Sequence, residues 1–109
     1  MAYSVWQSPV TGRRIRIHWN SWIARLGGST NCMTLSAGHI FVACNRINAP
    51  TLAHEDGHSI QAAKRGWLYL PWVLWGYATK GYAKSKAEVE ADEHMTRYLL
   101  LYRTLWEGS

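Results

Sequence analysis

The sequence predicts an α+β domain: a short antiparallel sheet packed on one motif-bearing helix, with a long C-terminal helix crossing against it. Three observations carry this. Arg14-Ile15-Arg16-Ile17-His18-Trp19 alternates polar and apolar residues, the period-2 mark of a half-buried strand. The stretch between Asn48 and Gly66 opens on a cap and a first-turn proline and closes on a glycine, the punctuation of a helix. From Ser85 onward apolar residues recur at helical spacing. A chain of 109 residues has room for one domain, residues 1–109, with a modest core. Its residues are 48% hydrophobic and 17% charged, a balance that excludes intrinsic disorder. The chain does not open on a basic segment followed by an apolar one. Its longest apolar run, Trp67 to Ala78, is too short to span a bilayer. A cytoplasmic protein is the expectation.

Taken in order, Thr11 to Arg14 read as a turn and Asn20 as the cap of a short helix, Ser21 to Leu26, closed by Gly27-Gly28. Asn31 to Leu35 and His39 to Cys44 then flank Ser36-Ala37-Gly38 as a hairpin. A three-residue loop would set Cys32 opposite Cys44 and a two-residue loop would not; free thiols are expected for both. The motif helix follows, from the Asn48 cap to about Arg65. Gly57 inside it costs about 1 kcal/mol against Ala, which close approach of another backbone would explain. Trp67 to Tyr77 is very aromatic and interrupted by Pro71 and Gly76. Core packing is expected for it, with peripheral membrane contact through 67–77 left open. Ala78 to Lys84 reads as a loop.

Seven Trp and six Tyr are more than a small domain buries fully, so some aromatic surface is expected at a cleft, a partner or a membrane face. The net charge is +5. Arg13, Arg14 and Arg16 form the best basic patch, for which a solvated outer strand face is the plainer account. Nucleic acid is not the expected partner. His18 and His39 read as ordinary strand residues and His94 as solvated.

The chemistry concentrates in His54-Glu55-Asp56-Gly57-His58, which reads H-E-x-x-H. Residues four apart on a helix share a face, so both imidazoles point the same way and supply half of a tetrahedral Zn²⁺ site. Glu55 projects beside the metal, where it can take a proton from bound water. On a wheel centred on Glu88, the residues Met95, Leu99, Tyr102 and Trp106 fall within about 40° on one stripe, and Asp92 lies about 40° to the other side. Acids on a core-facing stripe are costly unless paired or bound to metal. Glu88 is therefore the third ligand, although Ser85-x-x-Glu88 also has the form of a capping box. Asp92, one turn on, is placed to accept the free N–H of a ligating His, most simply His54. Gln61 and Arg65 share the face of the two His.

The order H-E-x-x-H, about thirty residues, then Glu88-x-x-Ala91-Asp92 resembles the gluzincin metallopeptidases, and the brevity of the chain is similar to the minigluzincins. The run from His54 to Pro71 also resembles small bacterial HExxH proteins of unassigned function. The resemblance covers roughly residues 30 to 105. It implies a minimal zincin-like domain with Zn²⁺ on His54, His58 and Glu88, Glu55 as general base, and hydrolysis of a peptide or protein substrate. It also implies that one strand of the hairpin pairs with extended substrate. No residue clearly matches the family's additional Tyr or His that steadies the oxyanion; Tyr77 and Tyr82 are the nominees. Two other classes stay open: a catalytically silent zinc-binding module, and a membrane-surface or nucleic-acid adaptor using the aromatic block and the basic residues.

Overall fold

Strands Tyr3–Gln7 (β1) and Arg14–His18 (β2) pair antiparallel, with Tyr3 opposite His18 and Gln7 opposite Arg14. The computed structural model describes residues 3–26, 32–81 and 84–107. Gly27, Gly28, Asn31 and Tyr82, named above, lie outside them. A short helix, Trp22–Arg25 (α1), carries the chain to a hairpin of Cys32–Ser36 (β3) and His39–Val42 (β4). The sheet order is β1-β2-β4-β3, and β2 runs parallel to β4. The domain is α+β as expected, but its sheet is mixed rather than wholly antiparallel. The reason lies in side-chain content. Placing β4 centrally buries Ile40 and Val42 beside Ile15 and Ile17, all within 2% of full burial. The more polar β3, which carries Thr34, is left at an edge. β1 lacks a clean hydrophobic alternation, and only its Ser4 and Trp6 face inward. Trp19 anchors it by donating its indole N–H to Ser4 Oγ at 2.9 Å.

The hairpin turns on two residues, Ala37 and Gly38, with Gly38 at φ 79°. A bulge between Thr34 and Ser36 shifts the register, so Cys32 faces Val42 and Cys44 lies beyond the ladder. Both thiols are free, Cys32 buried and Cys44 exposed.

Ala49–Arg65 (α2) lies beneath the sheet. The Asn48 side chain caps it by accepting from Thr51 N, Pro50 sits in its first turn and Gly66 ends it at φ 58°. Leu52 and Ala53 are wholly buried against the sheet residues. After a 3₁₀ turn, Gly66–Leu68, comes Tyr69–Lys80 (α3), so Ala78 to Lys80 is helical and not loop. Pro71 falls in the first turn of α3, where its missing N–H costs nothing. The aromatic block divides: Tyr69 and Val73 are buried, whereas Trp67, Leu68, Leu70, Leu74 and Trp75 are exposed. Among the described residues no helix is long and apolar enough to cross a membrane.

Lys86–Tyr98 (α4) packs across α2. A Cβ at Gly57 would stand 3.0 Å from Ala91 Cα, so the glycine marks the crossing point. The C-terminal helix is shorter than its periodicity predicts. A 3₁₀ turn at Leu99–Leu101 releases the chain so that Leu105–Trp106 (β6) can pair with Arg46–Ile47 (β5). Trp106 leaves the helical stripe and takes the Arg46 guanidinium on its ring at 4.7 Å. Tyr102, freed from helical geometry, buries against α2.

Candidate metal centre

Helix geometry sets His54 and His58 side by side on α2, and the crossing at Gly57 brings Glu88 of α4 over them. His54 Nε2 lies 3.0 Å from Glu88 Oε1, His58 Nε2 lies 2.9 Å from Glu88 Oε2, and the two Nε2 atoms are 3.1 Å apart. These three residues could hold a metal ion, their ligand atoms lying within 4.8 Å of one another. His58 and Glu88 are buried, and His54 is 16% exposed. Glu88 also receives the Ser85 cap contact through its backbone N–H, so cap and candidate ligand coexist on one residue.

The proton inventory tests whether a cation fits. His54 Nδ1 lies 2.8 Å from Asp92 Oδ1, an acceptor only. His58 Nδ1 lies 2.9 Å from Gln61 Oε1. The Gln61 amide nitrogen is committed to Ala87 O at 2.8 Å and Glu90 Oε1 at 3.3 Å, which fixes the amide's orientation. Each Nδ1 therefore carries the hydrogen of its neutral ring, and each Nε2 is left a bare lone pair aimed at a carboxylate. Two imidazole lone pairs and a carboxylate converging on one point ask for a positive charge. Donors about 2.0–2.1 Å from one tetrahedral ion sit about 3.3 Å apart, so a small outward adjustment admits one.

The same demand shows in the titration. Burial lowers His58, but its hydrogen bond to Glu88 and the charges of Glu55 and Glu88 outweigh this and lift it to about 9. His54 is raised for the same reasons against the same burial. Burial pushes Glu88 up, and the hydrogen bonds from His54 and His58 override it and hold the carboxyl well below its usual range.

Glu55 is buried, and its Oε1 accepts from Thr34 Oγ1 at 2.8 Å. It borders a cleft of about 400 Å³ together with His58, Glu88 and Tyr77. The remaining wall is largely apolar, including Leu26, Met33, Leu70, Val73 and Leu74. Edge strand β3 forms one side of it. Tyr69 donates to Thr34 O at 3.1 Å, tying α3 to that strand. Burial and the nearby charges of Glu55 and Glu88 push the Tyr69 hydroxyl up, so it stays protonated as a donor.

Of the residues named from sequence, His54, His58, Glu88 and Asp92 come together, and Glu55 and Tyr77 share the cleft. Tyr77 donates to Glu88 Oε2 at 2.8 Å, so its hydroxyl touches a candidate ligand. Arg65 stacks on Trp72 with its guanidinium 3.5 Å from the ring centroid. His94 is not solvated: it is 10% exposed and reaches the buried Asp56 at 3.3 Å and Tyr102 OH at 2.7 Å. Asp56 projects from the opposite face of α2, where Ser8 Oγ at 2.7 Å and the Tyr102 hydroxyl also donate to it. Sequence reasoning missed Thr34 and the role of Gln61. For Gln61 a signal existed, because a ligating His wants an acceptor on its Nδ1 and Gln61 lies one turn on. Thr34 comes from a strand 21 residues away, and nothing local marks it.

No family model matches the chain, and neither a curated protein nor a solved structure shows significant similarity to it.

Proposed function

We propose that the protein is a zinc-dependent peptidase whose ion is held by His54, His58 and Glu88. The observation that carries this is the convergence of two bare imidazole nitrogens and a carboxylate beside a buried glutamate that is not needed as a ligand. When bound, Zn²⁺ would supply Lewis acidity, polarising a carbonyl and acidifying water. Asp92 and Gln61 orient the two imidazoles by taking their Nδ1 hydrogens. Glu55, held by Thr34, takes a proton from the attacking water and returns it to the leaving nitrogen. β3, an edge strand on the cleft, offers backbone groups to an extended peptide, and the apolar wall takes a large aliphatic or aromatic side chain.

The test pairs metal content with turnover. Wild type should hold one zinc per chain and cleave a mixed peptide library. Glu55→Gln should keep the zinc and lose turnover by at least about a hundredfold, the scale of a general base. Glu88→Gln should lose the zinc, whereas Glu93→Gln, on the exposed side of α4, should keep it. Substantial hydrolysis surviving in Glu55→Gln removes the base assignment. A second reading, a catalytically silent zinc module, is favoured by one contact: the Tyr77 hydroxyl donates to Glu88, a candidate ligand. A zinc-loaded wild type inert to the whole library would select it.

A further inference from the structure

The net charge of +5 is not spread along the chain. Through residue 54 there are five arginines and no acid; from Glu55 on, cations and acids number seven each. The half that builds the four-stranded sheet therefore carries the whole excess, and no strand bears an acidic residue.

Alternation decides where that charge goes. Ile15, Ile17, Ile40 and Val42 point inward, so Arg14, Arg16, His18, His39 and Phe41 point outward. The register aligns these into rows. One row crosses all four strands as Tyr3, His18, Phe41 and Met33, and the next runs Val5, Arg16, His39. The rings of the first row are already in contact. Tyr3 and His18 centroids are 5.7 Å apart, and His18 stacks on Phe41 at 4.7 Å and 14°. His18 stacks on His39 at 5.3 Å, and the Arg16 guanidinium lies 5.9 Å from the Tyr3 ring. Tyr3 is 56% exposed at the open edge of the row. Burial, with His39 and Arg16 nearby, lowers His18, which keeps its ring neutral and suited to stacking. Because β2 and β4 run parallel, His18 and Phe41 fall directly opposite, an arrangement that reading the strands singly could not show.

We propose that the outer face of this sheet binds single-stranded nucleic acid, with bases stacking on Tyr3 and Phe41 and phosphates met by Arg14 and Arg16. Flat rings flanked by guanidinium groups on a sheet suit unpaired bases, whose faces are open, and not a duplex, whose bases are stacked inside. The clear excess of positive charge fits a polyanion. A lipid surface fits less well. Of the large exposed apolar side chains that would enter it, this face carries only Val5 and Tyr3, whereas the cluster of Trp67, Leu68, Leu74 and Trp75 is on or beside α3. The inference needs no metal and does not rest on the peptidase reading.

The test is fluorescence anisotropy of labelled oligothymidylate and oligouridylate of about 12 nucleotides, titrated with the full chain between about 50 and 200 mM salt. Binding should weaken with salt. Arg14→Ala/Arg16→Ala should flatten the slope of log affinity on log salt by about 1.4, or 0.7 per phosphate. Tyr3→Leu and Phe41→Leu should each weaken binding about tenfold with the slope kept, since stacking is lost and charge is not. Arg97→Ala/Arg103→Ala, in the balanced half, should stay within about twofold. Circular dichroism melts establish that each variant is folded. Three results overturn the proposal: no binding at the lowest salt, equal loss in the Arg97/Arg103 control, or inorganic polyphosphate competing as well per phosphate as the oligonucleotide. Phosphatidylserine vesicles bound by wild type and released by the Tyr3 and Arg variants, with no oligonucleotide shift, would assign the face to membranes instead.

Discussion

Gly57→Ala separates two things that usually move together, helix propensity and site geometry. Alanine is worth about 1 kcal/mol over glycine in a helix interior. At this position the added methyl would lie 3.0 Å from Ala91 Cα, 3.3 Å from His94 Cβ and 3.4 Å from Ala91 Cβ. The nearest atom is backbone, so α4 must retreat by a few tenths of an ångström as a body. It is held from retreating on both sides of Gly57, by Gln61 on Ala87 O and by His94 on Asp56. Overpacking of this kind costs about 1–3 kcal/mol, which meets or exceeds the propensity gain. Net destabilisation is therefore about 0–2 kcal/mol, a loss of up to roughly 10 °C in Tm for a domain of this size. The effect on a metal held by His54, His58 and Glu88 should be sharper. Glu88 rides on α4 while His54 and His58 ride on α2, and ligand distances tolerate only about 0.2 Å. Zinc affinity should fall at least about tenfold, or 1.4 kcal/mol. Competition against a chromophoric chelator measures the affinity, and melts with and without chelator measure the stability. A Gly57→Ala chain that is more stable than wild type and binds zinc equally well would refute the claim that this crossing sets the ligand distance.

Three further outcomes are expected. Asp92→Asn and Gln61→Leu should each lower zinc affinity about 10- to 100-fold while leaving one site per chain, read by the same competition. The metal-free chain should show a stability plateau in mildly acidic solution. His58 is raised from 6.5 to about 9, so its contribution is complete below 6.5 and lost as pH rises through 9; Glu88 is lowered from 4.5, so its contribution is complete above 4.5 and lost as pH falls through its folded value. Urea melts across pH 4 to 10 should show a loss of a few kcal/mol between pH 6.5 and 9, counted once for the pair, and saturating zinc should abolish it. Asp56→Ala leaves the hydroxyl hydrogens of Ser8 and Tyr102 without their acceptor and should cost about 3 kcal/mol or more. Metal stoichiometry in the folded fraction should stay at one, since none of these groups touches the three candidate ligands; loss of zinc there would mean the two clusters are coupled.

What the sequence disclosed followed from how local its causes are. The i, i+4 histidines, the Asn48 cap, the Gly66 stop and the Glu88–Asp92 spacing are properties of single helices, and all were readable. Gly57 was readable too, because a glycine in a helix interior carries a cost that only a close neighbour explains. The failures are all non-local. The choice between the two loop lengths open for the hairpin fell to the two-residue turn, and the bulge between Thr34 and Ser36, which no local signal marked, set Cys32 against Val42. β4 went to the sheet centre because the inward Ile15 and Ile17 of β2 and Ile40 and Val42 of β4 bury more together than apart, and the parallel pairing followed. His94 was placed on a polar face by its own helix wheel, and no wheel could show that Asp56 of α2 and Tyr102 would meet it. The helical period ran on through Trp106, but the chain gave up its last turns to pair with β5.

The central helix explains why so much of this small fold is fixed by polar groups. α2 buries Glu55, Asp56, His58, Ser59 and Gln61, an expensive set for a chain with so modest a core. His58 faces Glu88 of α4, and the other four are each answered by a different part of the chain. Thr34 of β3 answers Glu55, Ser8 and Tyr102 answer Asp56, the Gly38 N–H of the hairpin donates to Ser59, and Ala87 O of α4 accepts from Gln61. The network therefore addresses the sheet, the hairpin, α4 and the C-terminal segment to one helix in one register, a specificity that unoriented apolar contacts do not supply. Among its described residues, the two Nε2 atoms and the Glu88 carboxylate form a point that has acceptors without enough donors. In the metal-free chain a proton on His58 meets that shortfall up to about pH 9, and a metal ion could take its place. Because the shortfall binds α2 to α4, whatever cation fills it contributes its binding energy to the fold. The candidate site and the packing of the two longest helices are thus one structural fact, and a perturbation of either is measurable in the other.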